Sequence, residues 1–131
     1  MAKHTMIFAN GEVPFPEAAR RFAEAASLLI AADGGLTHLQ QLGLEPGLLI
    51  GDLDSVTAKQ VVQAETAGCK VRCYPVDKDE TDLELALLAA LEYGCEKITV
   101  VGALGGRLDQ TLANIHLLTL PQLLGIDLRI D

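Results

Sequence analysis

Short apolar runs alternate with longer amphipathic stretches along the 131 residues, and that rhythm predicts strands and helices in turn. Thr5–Ala9 reads as a strand and Pro16–Ser27 as an alanine-rich helix with proline in its first turn. Leu28–Ala32 is continuously apolar, the pattern of a strand buried on both faces. Leu36–Leu42 follows as a short helix stopped by Gly43, and Leu48–Ile50 as the next strand. Thr57 and Gln60 stand at capping-box spacing and open a helix over Thr57–Ala67, which Gly68 closes. Lys70–Tyr74 alternates as a strand. Asp82–Tyr93 is a helix with leucine on nearly every side (Leu83, Leu85, Leu87, Leu88, Leu91), which predicts deep burial. Ile98–Val101 is a further buried strand, Asp109–Leu120 a helix stopped before Pro121, and Ile126–Ile130 a last strand.

Alternation of this kind predicts one α/β domain over residues 1–131: three layers, Rossmann-like, with a mostly parallel sheet and helices on both faces. Half of the residues are hydrophobic, with three phenylalanines, two tyrosines and no tryptophan, so aliphatic packing must carry the core. No apolar run reaches the roughly 18 residues that a membrane span needs. The first residues run into a strand without a signal-peptide pattern, which predicts a cytoplasmic protein with no membrane partner. Cys69, Cys73 and Cys95 lack CxxC spacing and read as buried or half-buried reduced thiols. His38 and His116 fall within helices and His4 lies near the terminus, so all three read as structural or solvent-facing.

Charge narrows the choice of function. The net charge is -8, with 18 acids against 10 bases, so the basic footprint of a nucleic-acid binder is absent. The acids are clustered. Asp33, Asp52, Asp54, Asp77, Asp79, Glu80, Asp82 and Asp109 lie in or beside four short blocks. The blocks are Ala32-Asp33-Gly34-Gly35, Gly51-Asp52-Leu53-Asp54-Ser55, Lys78-Asp79-Glu80-Thr81-Asp82, and the stretch from Gly102 to Asp109 with Gly105, Gly106 and Arg107. Each follows an expected strand, and a parallel sheet gathers its strand ends at one edge, where such folds bind ligands. The mixture of carboxylates, lysine, arginine and bare backbone suits a divalent metal and a polyphosphate.

Asp52 and Asp54, two residues apart after a strand, can both face one cation if the chain between them stays extended. The plainer alternative is a polar turn in which Asp54 or Ser55 caps the next helix. Thr81 and Glu84 are accounted for by capping-box spacing, but Lys78 among four acids is not, and it fits a phosphate partner. Gly105 and Gly106 before a helix with Asp109 at its N-cap would let backbone N–H groups approach an anion that Arg107 could grip. Neither GxxxxGK[ST] nor GxGxxG is present, and a glycine-rich turn alone is a weak signal. Asp33 could simply cap the helix that follows it.

The four blocks in this order, ADGG at 32–35, GDLDS at 51–55, KDETD at 78–82 and GALGGRLDQTLANI at 102–115, resemble the catalytic domain of thiamine pyrophosphokinases. That resemblance implies transfer of a pyrophosphoryl group from ATP to the hydroxyl of thiamine, giving thiamine diphosphate and AMP. It implies Mg2+ on Asp52, Asp54 and Asp82, with Lys78 and Arg107 neutralising phosphate charge. It brings Thr81, Gly105 and Gly106 close to the nucleotide, and Asp33, Gly34 and Asp109 near the nucleotide or the acceptor. Two departures stand out. Gln110 replaces a histidine common after the GGRxD aspartate, and the family's C-terminal thiamine-binding β-sandwich, which helps form a homodimer, is expected to be missing from this chain. Two other readings fit the same residues: a metal-dependent phosphohydrolase, and a nucleotide- or metal-binding module without catalysis. Lys78 with Gly105-Gly106-Arg107 favours a nucleotide donor over hydrolysis.

Overall fold

Segments of four or five residues form the strands, continuously apolar at Leu28–Ala32 and alternating with polar residues at Lys70–Cys73, and amphipathic or apolar stretches form the helices between them. The computed structural model describes residues 3–13, 15–75, 81–102 and 127–130. Within these the order is β1 (His4–Phe8), α1 (Pro16–Ala25), β2 (Leu28–Ala32), α2 (Gly35–Gln41), β3 (Leu48–Gly51), α3 (Ala58–Thr66), β4 (Lys70–Cys73), α4 (Asp82–Glu92), β5 (Lys97–Val101) and β6 (Asp127–Ile130). Element bounds depart from the sequence reading by a residue or two, where chain ends fray. The helix expected over Asp109–Leu120 lies outside the described residues.

The strands form one sheet in the order β4-β3-β2-β1-β5-β6, and every neighbouring pair is parallel. Right-handed crossovers dictate which face each helix covers. From β1 to β4 the chain steps one way along the sheet, so α1, α2 and α3 pack on one face. It then returns past β1 to β5, and the reversed direction puts α4 on the other face.

Two hydrophobic clusters record this arrangement. Ile7, Ile30, Leu48, Ile50, Ile98 and Val100 meet Leu83, Leu87 and Ala90 of α4. Met6, Phe8, Ala31, Leu49 and Val101 meet Ala19 and Ala23 of α1, Leu36 and Leu39 of α2, and Ala64 of α3. Period-two alternation along each strand sends neighbours to opposite clusters, as Ile7 between Met6 and Phe8 shows. Full burial of each such aliphatic side chain contributes about 1.5–3 kcal/mol. The reversal leaves β1 between the two halves of the sheet, and the crevice beyond its carboxyl end is the switch point.

Candidate functional site

β2 ends at Ala32, and Asp33 turns the chain with a left-handed backbone (φ 47), its N–H donating to the Ile50 carbonyl at 2.9 Å. Aspartate tolerates that region better than most residues. Gly34 and Gly35 must follow, because a Cβ at 34 would strike the Asn10 side chain and one at 35 the Phe8 carbonyl oxygen. β3 ends at Gly51, whose φ of 137 favours glycine and where a Cβ would lie 2.9 Å from the Asp82 carboxyl carbon. Asp82 opens α4 and so stands directly over the end of β3. The Thr81 hydroxyl before it caps that helix, accepting from Glu84 N–H at 3.1 Å.

The loop after β3 is turned rather than extended. Leu53 adopts φ 64, which is costly for a bulky side chain, and half-buries itself against the α1–α3 side of the core. Asp54 N–H then donates to Asp52 Oδ1 (3.2 Å), Ser55 N–H to Asp33 Oδ1 (3.2 Å), and Ser55 Oγ–H to Asp54 Oδ1 (3.3 Å). The result is a group of three carboxylates, Asp33, Asp52 and Asp82, each with an oxygen within 4.8 Å of the others. Asp54 is exposed and lies outside that group, but it shares a hydrogen bond with Asp33.

Acids this close cannot all ionise at ordinary pH without cost. Asp33 is buried, and its carboxyl is raised to about 7, chiefly by desolvation. The hydrogen bond with Asp54 and the charges of Asp82 and Asp54 contribute to that rise, while the Ser55 N–H opposes it. Asp54 moves the opposite way, held below the usual carboxylate range by its hydrogen bonds with Asp33, Asp52 and Ser55. Below about pH 7 the proton that this pair retains therefore sits mainly on the buried Asp33.

Several sequence expectations change in detail. The chain between Asp52 and Asp54 does not stay extended, and the carboxylates that lie together among the described residues are Asp33, Asp52 and Asp82. Asp33 does not cap α2, whose N-cap is Gly34 with no side-chain bond. Nor do Asp54 and Ser55 cap α3: Thr57 does, in a reciprocal box with Gln60 (3.1 and 2.9 Å). Lys78, Gly105, Gly106, Arg107, Asp109 and Gln110 lie outside the described residues. Sequence reasoning passed over Asn10 and Gly11, which follow β1 at the switch point, Asn10 packing beside Gly34 and Gly11 beside Gly102. The rule that picked out the other blocks, polar or glycine residues straight after a strand, would have found them.

The described cysteines are free thiols; Cys69 and Cys95 are buried as expected, but Cys73, at the end of the edge strand β4, is exposed rather than buried. No helix among the described residues is long and apolar enough to cross a membrane.

Comparison with known proteins bears on this geometry. The family pattern described as thiamin pyrophosphokinase, catalytic domain, matches residues 19–129. The thiamine pyrophosphokinase of Bacillus subtilis is 38% identical over 97 residues, covering 74% of this chain and 45% of that protein. The crystal structure of the Bacillus subtilis enzyme superposes with a TM-score of 0.79 at 32% identity, over 98% of this chain and 60% of the other. A thiamin pyrophosphokinase family protein from Enterococcus faecalis gives 0.80 at 28%, over 99% and 61%. The chain thus spans about half the length of its curated relative.

Proposed function

Because the chain belongs to the family of the thiamin pyrophosphokinase catalytic domain, we propose that it binds magnesium-ATP at the carboxylate cluster. There it moves the terminal pyrophosphoryl group to the hydroxyl of thiamine, giving thiamine diphosphate and AMP. The observation that carries this reading is the convergence of Asp33, Asp52 and Asp82, from three separate segments, within 4.8 Å of one another beside the switch point.

Magnesium favours hard oxygen donors, typically one or two carboxylates together with phosphate oxygens, and the cluster offers that donor set. Asp52 and Asp82 would hold the ion, with the third carboxylate drawn from the hydrogen-bonded Asp33–Asp54 pair. A bound ion would spread the negative charge of the triphosphate. Gly34 and Thr81 would lie close to the nucleotide. Lys78 and Arg107 would neutralise phosphate charge, and Gly105, Gly106 and Asp109 would approach the nucleotide. In the transfer, the thiamine oxygen forms a bond to the β-phosphorus as the bridge to the α-phosphate breaks. The hydroxyl proton is released and AMP departs. Positioning and charge stabilisation supply most of the rate in such reactions. We further place the protein in the cytoplasm, its active form a homodimer.

A second reading, a nucleotide-binding module without turnover, uses the same three carboxylates to hold a cation and a nucleotide. Incubation with ATP, magnesium and thiamine separates the two. Thiamine-dependent formation of AMP and thiamine diphosphate, lost in Asp52→Ala, is the expected outcome. Nucleotide binding without product would favour the module, and phosphate release without thiamine would favour a hydrolase.

A further inference from the structure

Asn10 and Gly11 carry the chain past the end of β1, with β2 on one side and β5 on the other. Toward β5, pairing continues beyond the strand: Ala9 N–H donates to the Val101 carbonyl (2.7 Å) and Gly11 N–H to the Gly102 carbonyl (2.6 Å). Gly102, at φ 82, allows this approach, since a Cβ there would lie 2.6 Å from the Ala9 carbonyl oxygen. Toward β2 the ladder stops, because the chain turns at Asp33 into α2. On that side His38 reaches back from α2, its Nε2 2.6 Å from the Gly11 carbonyl oxygen. A carbonyl only accepts, so Nε2 carries the hydrogen. The Gly11 backbone is thus tied through its N–H to one half of the sheet and through its C=O to a helix of the other.

We propose that His38 is a positioning residue for the nucleotide: by holding the Gly11 carbonyl it fixes the Asn10–Gly11 segment across the switch point, where the phosphate chain of the donor would cross. The inference rests on the nucleotide-binding reading above and extends it to a side chain outside the carboxylate cluster. Ligands in open parallel sheets bind in this crevice, so the loop that floors it sets how closely a phosphate chain can approach. A residue serving stability alone would act on every ligand through the folded fraction. A latch on this loop acts on the nucleotide and spares the cation, because Asp52 and Asp82 are supported by β3 and α4.

The test uses His38→Leu, which removes the donor, and His38→Gln, whose amide N–H reaches nearly as far as Nε2. Each is titrated by calorimetry with α,β-methylene-ATP in magnesium, and by electron paramagnetic resonance with Mn2+ alone. The Leu variant is expected to bind nucleotide about tenfold more weakly, the scale of one well-placed hydrogen bond, and the Gln variant to recover most of that loss. Manganese affinity stays within about twofold throughout, well under 1 kcal/mol. Unchanged nucleotide affinity in the Leu variant overturns the proposal, as does a parallel loss of manganese that Gln fails to rescue. If the wild-type chain binds manganese but no nucleotide, the functional reading and the nucleotide role of His38 both fall. Amide exchange at Gly11, whose N–H donates to the Gly102 carbonyl, then shows whether the latch alone survives: faster in the Leu variant if it does, unchanged if it does not.

Discussion

Gly51 lacks a side chain where Asp82 occupies the space one would need, and its φ of 137 excludes most alternatives. Gly51→Ala is therefore expected to displace the Asp82 carboxylate and lower manganese affinity on the order of tenfold or more, as loss of support around a metal site does. An unchanged manganese titration would show that Asp82 tolerates the methyl group. Asp33 makes a second prediction at this scale. Its carboxyl rises from 3.8 to about 7 on folding, so the folded chain keeps a proton that the unfolded chain releases. That contribution to stability is complete below about pH 3.8 and is lost as pH rises through about 7. In metal-free buffer, denaturant stability should decline across that window. Asp33→Asn, whose amide can still donate to Asp54, should flatten the decline. A wild-type profile as flat as the variant's would contradict the assignment of the proton to Asp33.

Capping and burial were readable at the level of elements because they depend on near neighbours. Thr57 with Gln60 and Thr81 with Glu84 form the bonds their spacing implies. The leucine-rich sequence after Thr81 forms a helix whose Leu83, Leu85 and Leu87 are buried. Leu87→Ala should cost about 2–5 kcal/mol, read as a lower denaturant midpoint at unchanged slope. A loss well under 1 kcal/mol would place Leu87 at a site that collapses around the smaller side chain. The loop after β3 was less legible. Two aspartates flanking a leucine look extended, and only the packing of Leu53 into the core reveals the left-handed turn that leaves Asp54 beside Asp33. That contact spans distant parts of the chain and leaves no local pattern.

Across the whole molecule, the hydrophobic rhythm predicted a parallel sheet with helices on both faces, and strand ends as the place for chemistry. It did not reveal strand order, because alternation determines which side of a strand is apolar and not which strand lies beside it. The return from β4 past β1 to β5 creates the switch point, and with it the importance of Asn10, Gly11 and His38. The same return lays α4 across β1, β2 and β3 and carries Asp82 to the carboxylates after β2 and β3. The central claim is that this topology gathers separate carboxylates into one cation site. Manganese titration of the wild-type chain, Asp52→Asn and Asp82→Asn, followed by electron paramagnetic resonance, tests it most directly. The account predicts one tightly held ion in the wild type and its loss in both variants, with Asp33→Asn and Asp54→Asn revealing which member of the pair completes the set. Wild-type affinity in Asp52→Asn or Asp82→Asn, or no bound ion in any of the chains, would contradict it.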